Sequence, residues 1–503
     1  MTSDPKRRLV ISSNRLPVSV RRKGGRLAVE PSSGGLVTAM GPVLRNRGGL
    51  WIGWPGIFAG ARVDKALTRE SSGIGYDLKS VQLDQKLQEL FYYGFSNEII
   101  WPLFHGLLSL CKYDPAYWTA YQKVNRQFAT VISEHAQPQD YIWIHDYHLM
   151  SVGAALRELS RDSDIGFFLH IPFPPWPIFS KLPWAEQILQ DLLKFNLIGF
   201  QTAAYRQNFL DAVRQTTRHV EINARGAVHR IQLGDHEVRV GAFPISIDYT
   251  AFEEGSLRPE VRELEGHLHN QWLGRSLMLG VDRLDYTKGI PYRLDAFRRA
   301  LQIYPELRRK ISLVQVVVPS REDIPMYHQL KEEIDQLVGE INGQFTEPGW
   351  IPIHYLFRSL SRTELLAFYR SSQIALVTPL EDGMNLVAKE YCAASNADDS
   401  VLILSKFAGA RAELARGALL VNPYDTIGVA EAIYQAFHMD PDERRQRMLA
   451  MKRQIKDRDI FYWVDSFLRA AIEVDLGTYP QEELPADDTF ADIWFEGREE
   501  PPV

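Results

Sequence analysis

An α/β protein of two doubly wound parallel-sheet domains is predicted by three features of this 503-residue sequence. Short apolar β-type runs recur along it, helical periods separate them, and polar residues follow the runs directly. A chain of this length outgrows a single hydrophobic core, so two domains of about 200 to 250 residues each are expected.

In chain order the runs are Leu9-Val10-Ile11, Tyr141 to Ile144, Ile165 to Leu169 and Leu197 to Phe200. Then come Leu277 to Val281, Leu313 to Val318, Ile374 to Val377, Val401 to Leu404 and Leu419 to Val421. Ile290, Leu294, Phe297 and Leu301 repeat at helical spacing, and Pro291 suits a first helical turn. The stretch Leu233 to Ala251 mixes strand-type residues with Phe243-Pro244, and a fresh series begins at Leu277. The domains are therefore set at 1–245 and 246–476, with an acidic, Pro-rich surface tail over 477–503.

Composition excludes several classes. A net charge of −6 supplies no general field for nucleic acid or an anionic membrane. The cysteines, Cys111 and Cys392, are far apart and outside any CxxC, so neither a disulfide framework nor a structural zinc site is expected. The N-terminus carries no signal-peptide pattern, and the longest apolar runs are about half the ~20 residues that span a bilayer. A cytoplasmic protein without membrane partners is the expectation.

Ligands of open α/β sheets bind beyond the carboxyl ends of the strands, which draws attention to the polar residues placed there. They are Asn14-Arg15, His145-Asp146-Tyr147-His148, His170, Asp282 to Gly289, Ser320-Arg321 and Glu381 to Asn385. Arg283 and Lys288 straddle a strand end and a helix start preceded by Gly289, an arrangement that suits a diphosphate; the alternative is a surface ion pair. Gly383 stands at a strand-to-helix turn, and Glu390, a turn into the helix, is placed to accept hydrogen bonds from ribose hydroxyls. Alternatively, Lys389 and Glu390 form a solvated face. The aromatic set Trp51, Trp54, Tyr92 and Trp101, in the same domain as Gly34-Gly35, serves either as core or as sugar-stacking surface.

Neither GxGxxG nor GxxxxGK[ST] is present, which disfavours dinucleotide and P-loop sites. His145, Asp146 and His148 lack further ligands at helical spacing, HExxH is absent, and Asp162-Ser163-Asp164 precedes its strand, so no metal is expected. No nucleophile elbow is found.

The runs Asn14 to Pro17, Ser33 to Leu36, Trp143 to His148, Leu169 to Pro174, Asp282 to Gly289 and Asp382 to Glu390 together resemble the trehalose-6-phosphate synthase family, in the family's order, from about residue 8 to about residue 470. The resemblance implies two facing Rossmann-like domains of the GT-B type with the site in the cleft between them. It implies transfer of glucose from a nucleotide sugar, UDP-glucose expected, to glucose 6-phosphate with retention of configuration. The donor would contact Gly34, Gly35, His170, Arg283, Lys288, Leu360, Asp382, Gly383, Met384, Asn385, Leu386, Val387 and Glu390. Glucose 6-phosphate would be held by Arg15, Trp54, Tyr92, Trp101, Asp146 and Arg321, with arginines on its phosphate. Asp146, His170, Arg283 and Lys288 would carry catalysis, the two cations stabilising the leaving phosphate without a metal or other cofactor. The chain departs from the family's usual pattern at Pro175-Trp176-Pro177 and at Glu381, both near the expected cleft.

A glucosylglycerol-phosphate synthase is the nearest rival, and Arg15 and Arg321 argue against it. A silent sugar-phosphate sensor is the rival from another class; the presence of Arg283, Lys288, Asp382 and Glu390 argues against that. The same two-domain scaffold also admits an epimerase or a phosphorylase. A homodimer or homotetramer is a further expectation from the resemblance, and because no stretch of the sequence resembles a phosphatase domain, a separate phosphatase is expected to act on the product.

Overall fold

Leu9, Val10 and Ile11 open strand β1 (Leu9–Arg15), where they point alternately to two faces that are both buried. The computed structural model describes residues 7–472 apart from 24–25, 32–34, 59–61, 161, 219, 225, 273, 322–323 and 396–399. The tail expected over 477–503 and Gly34 lie outside the described residues.

The hairpin β2 (Val18–Lys23) and β3 (Arg26–Pro31) follows β1, then β4 (Gly49–Trp54), β5 (Asp77–Ser80), β6 (Tyr141–His145), β7 (Ile165–Phe168) and β8 (Leu197–Phe200). Strands β9 (Glu221–Asn223), β10 (Val228–Leu233) and β11 (His236–Ala242) complete the first sheet, whose order is β5-β4-β1-β6-β7-β8-β11-β10-β9. Its pairs are parallel as far as β11, and β10 and β9 return antiparallel.

The second sheet comprises β12 (Ser276–Arg283), β13 (Ile311–Val318), β14 (Ile353–Phe357), β15 (Ile374–Val377), β16 (Val401–Ser405) and β17 (Leu419–Val421). Its order, β14-β13-β12-β15-β16-β17, is parallel throughout. Every apolar run read as a strand lies in one of these two sheets. Ile290, Leu294, Phe297 and Leu301 are fully buried on the helix Ile290–Ile303, as their spacing requires. Both sheets reverse their winding beside the first strand, between β1 and β6 and between β12 and β15, and each reversal opens a crevice at the carboxyl edge.

The boundary set near residue 245 falls between the last strand of the first sheet and the helix Tyr249–Ser256, and we propose it as the domain division. The final helix, Ile460–Ile472, follows the second sheet in sequence but packs on the first. Phe467 stacks on Trp143 with centroids 4.2 Å apart, and Trp463 donates to the Phe243 carbonyl at 3.1 Å. The guanidinium of Arg239 caps the helix end, donating to the carbonyls of Ala470 at 2.6 Å and Ala471 at 2.9 Å. One apolar cluster consequently runs unbroken from the first sheet through this helix to the second sheet. Phe467 is completely buried in it. Phe467→Ala should cost about 3–5 kcal/mol of stability in urea unfolding; a loss below about 1 kcal/mol would show that the packing of this helix on the first sheet does not stabilise the protein.

Candidate active site

The carboxyl edges of the two sheets meet, and the polar residues that end their strands line the junction. Asp146 follows β6 with φ of 77°, an unusual backbone for a non-glycine residue. That turn aims its carboxylate at the next strand's end, where it accepts the His170 backbone N–H at 3.2 Å. Burial pushes the Asp146 carboxyl up to about 6, opposed by the backbone N–H groups of Tyr147 and His170 and by Arg321 and Arg283. The His170 ring meets His145, with Nε2 and Nδ1 3.2 Å apart. Burial pushes His170 down to about 3 and drives His145 well down too, so both are neutral imidazoles at pH 7.

Arg321, beyond β13 in the second domain, reaches across to the first. Its guanidinium lies 4.4 Å from the Trp101 ring centroid, donates to the Tyr327 hydroxyl at 2.7 Å and approaches the Tyr147 hydroxyl at 3.5 Å. Its charge is matched by Asp285 Oδ2 at 3.5 Å. Tyr92 stacks on His148, 5.8 Å between centroids, along the same wall. Tyr92 sits on Glu89–Ile100, a segment wound as a π-helix, and Trp101 begins the short helix directly after it. Arg15, at the exposed end of β1, lies over Trp54 at 4.5 Å. Trp54 is buried, as is Trp51, whose indole donates to Ser13 within the core.

On the opposite side, Lys288 and Asp382 form an ion pair at 2.5 Å, and Asn385 donates to the same carboxylate oxygen at 3.1 Å. Burial, the largest single influence, would raise the Asp382 carboxyl, but Lys288, joined by His105 and the Asn385 hydrogen bond, holds the group below its ordinary value. Arg283 stands exposed at the end of β12. The alternative of a surface ion pair does not describe Lys288, which is buried and pairs with a carboxylate from a different strand end. Gly289, with φ of 64°, makes the turn into Ile290–Ile303. Beneath it Arg293, fully buried, bonds Asp282 at 2.5 Å and the Thr378 hydroxyl at 3.0 Å, tying the ends of β12 and β15 together.

The Asp382–Asn385 loop closes on the first domain. A Cβ on Gly383 would sit 2.2 Å from the His170 carbonyl oxygen, so this approach admits only glycine. Asn385, with φ of 78°, caps the helix Leu386–Ala394 by accepting the Ala388 N–H at 3.2 Å. Met384 is buried, Leu386, Val387 and Leu360 border the core, and Glu390 accepts the Tyr369 hydroxyl at 2.9 Å. Lys389 corrects the solvated-face alternative: it is fully buried, paired with Glu413 and bonded to the Ile245 carbonyl at 2.9 Å. Gly35 begins the helix Gly35–Arg47 after β3.

Sequence reasoning missed several contributors. Tyr327 holds Arg321 together with Tyr147 of the strand-end set, and Arg293 braces the loops. His105, whose Nδ1 lies 2.7 Å from the Trp101 carbonyl, is pushed down to about 4 by burial and sits within electrostatic reach of Asp285, Lys288 and Asp382. Tyr327, Arg293 and His105 do not follow an apolar run read as a strand, so strand-end position gave no signal for them. Among the described residues no group of three or more His, Cys, Asp or Glu side chains could hold a metal ion. Asp164 of the DxD-like triplet instead pairs with Arg7, at the amino end of β7.

A profile of glycosyltransferase family 20 matches residues 7–473. The chain belongs to glycosyltransferase family 20. Among family 20 proteins, a trehalose-6-phosphate synthase of Mycobacterium avium is 43% identical over 476 residues, covering 92% of this chain and 95% of the relative. A solved E. coli trehalose-6-phosphate structure bound with UDP-2-fluoro glucose superposes with a TM-score of 0.84 at 35% identity, covering 93% of this chain and 99% of the other. An α,α-trehalose-phosphate synthase (UDP-forming) from Burkholderia xenovorans in complex with glucose 6-phosphate gives 0.83 at 33% identity, with 92% and 99% covered. These matches establish the two facing Rossmann-like domains of the GT-B fold for this family 20 chain.

Gly383→Ala tests the close approach. The added methyl must push the loop off His170, and a displacement near 1 Å should lower kcat/KM for glycosyl transfer by ~100-fold. Unchanged steady-state kinetics would mean that the contact does not shape the site.

Proposed function

We propose that the protein transfers glucose from UDP-glucose to glucose 6-phosphate with retention, forming α,α-trehalose 6-phosphate and UDP. The observation that carries the reading is the seat of Arg321: a cation from one domain, bedded on Trp101 and Tyr147 of the other, beside a second cationic centre at Lys288. Two anionic groups can thus be held at once on either side of one cleft. Substrate complexes of relatives with the same fold support the pairing.

In this reading Arg15 and Arg321 take the acceptor phosphate, with Trp54, Tyr92 and Trp101 forming its walls and Asp146 accepting a sugar hydroxyl. Arg283 and Lys288 take the donor diphosphate. Asp382 through Val387, with Glu390 and Leu360, cradle the rest of the donor, Gly34-Gly35 cover it, and neutral His170 hydrogen-bonds its glucose. The acceptor hydroxyl attacks on the face that the diphosphate leaves, and its proton passes to the departing phosphate oxygen. Charge growing on that oxygen meets Lys288, which must exchange Asp382 for phosphate as its partner, and Arg283. The two side chains supply the positive charge a metal would otherwise bring. A cytoplasmic location and a separate downstream phosphatase complete the proposal; no described helix is long and apolar enough to cross a membrane.

Purified protein, given both substrates in chelator, should release UDP and form an α,α-1,1-linked disaccharide phosphate identifiable by NMR. Turnover with glycerol 3-phosphate alone would move the assignment to a glucosylglycerol-phosphate synthase, and failure with every acceptor would overturn the enzymatic reading. Arg321→Ala should raise KM for glucose 6-phosphate by roughly 10- to 150-fold, the worth of one charge-assisted hydrogen-bond set, and raise KM for UDP-glucose by a smaller factor.

A further inference from the structure

The donor loop is tied to the first domain by a hydrogen-bond arrangement that lacks one proton. The Tyr205 hydroxyl, on the first-domain helix Ala203–Thr216, lies 3.0 Å from Glu381 Oε1 and 3.3 Å from the Asp382 carbonyl oxygen. A phenol donates once, so with Glu381 ionised only one of the two acceptors is satisfied at a time. A proton on Glu381 completes the set. The neutral carboxyl donates to the Tyr205 oxygen, Tyr205 donates to the Asp382 carbonyl, and both contacts are then satisfied together.

Charge acts in the same direction. The groups facing Glu381 are Tyr205, its chain neighbour Asp382 and Tyr424 beyond β17, none of them a cation. Lys288 is already engaged by Asp382. Burial, joined by the like charge of Asp382 and opposed by the Tyr205 hydrogen bond, pushes the Glu381 carboxyl up to about 7. An anion brought to Lys288 adds negative potential beside a carboxylate that is already poorly compensated.

We propose that Glu381 and Tyr205 form a proton-linked latch: a nucleotide sugar arriving at Lys288 drives uptake of a proton from solvent onto Glu381, and the neutral carboxyl fastens the donor loop to the first domain. The inference rests on the donor reading above. By reciprocity, protonation tightens donor binding as much as the donor raises proton affinity. A group whose proton affinity rises on binding favours the complex at low pH. Donor affinity is therefore full below about pH 7, where free Glu381 is protonated, and falls as pH rises through the window between the free and bound titrations.

Calorimetric titration with UDP-glucose, whose diphosphate diester does not itself titrate near neutrality, tests this at about pH 7.5 in Hepes and Tris, buffers of different ionisation heat. Wild-type protein should take up a fraction of a proton, with Kd rising by up to ~tenfold per pH unit above neutrality. Glu381→Gln, whose amide donates to Tyr205 as the neutral carboxyl does, should take up none and keep a flat Kd over that window. Tyr205→Phe keeps the ring but removes the acceptor, so it should bind more weakly than wild type with a smaller uptake. Equal uptake in wild type and Glu381→Gln, or UDP-glucose binding by wild type without uptake, overturns the latch and leaves the donor site standing. Absence of UDP-glucose binding by wild type overturns the donor reading and the latch with it.

Discussion

The charge of Arg321, taken out of water between the two domains, is the interaction on which the site's geometry turns. Burying a cation is costly unless partners replace the lost hydration. Here the Trp101 face, the Tyr327 and Tyr147 hydroxyls and the Asp285 carboxylate supply them. Because Trp101 and Tyr147 belong to the first domain and Tyr327 and Asp285 to the second, the cation is satisfied only while the domains keep this relation.

Asp285 passes the constraint onward. Its other contacts fix the Tyr286–Lys288 turn, through the Thr287 N–H at 3.0 Å and the Thr287 hydroxyl at 2.9 Å, with the Trp101 indole at 3.4 Å. That turn presents Lys288 to Asp382, and the Asp382–Asn385 loop in turn abuts His170 through Gly383. Arg321 and Lys288 are thus ends of one bonded chain in the second domain, which meets the first domain at Trp101 and Tyr147 and, through the Asp382–Asn385 loop, at His170. A protein built this way gains positioning, which suits transfer between two bound substrates beside neutral histidines.

Much of this was legible in the sequence, because parallel strands buried on both faces leave continuous apolar runs and because polar residues at their carboxyl ends stand out against them. Arg15, Asp146, His170, Arg283, Arg321 and Asp382 were all found by that rule. Strands β4, β5 and β14 were harder: Gly49–Trp54 reads as an aromatic cluster, and Asp77–Ser80 and Ile353–Phe357 carry polar residues at sheet positions. What the sequence could not show is long-range. The return of Ile460–Ile472 to the first sheet depends on Trp143 and Arg239, more than 200 residues away. The burial of Lys389 depends on Glu413 and on a carbonyl of the interdomain link. Charge patterning along one helix identifies neither.

In the proposed reaction one cleft holds two anions, one at Arg321 and one at Lys288. A crystal structure of the protein with glucose 6-phosphate and a non-transferable UDP-glucose analogue tests it most directly. The acceptor phosphate should lie within hydrogen-bond reach of Arg15 and Arg321 and the diphosphate on Arg283 and Lys288, with Asp382 displaced from Lys288. An acceptor phosphate bound away from Arg321, or a diphosphate that leaves the Lys288–Asp382 pair untouched, would contradict it.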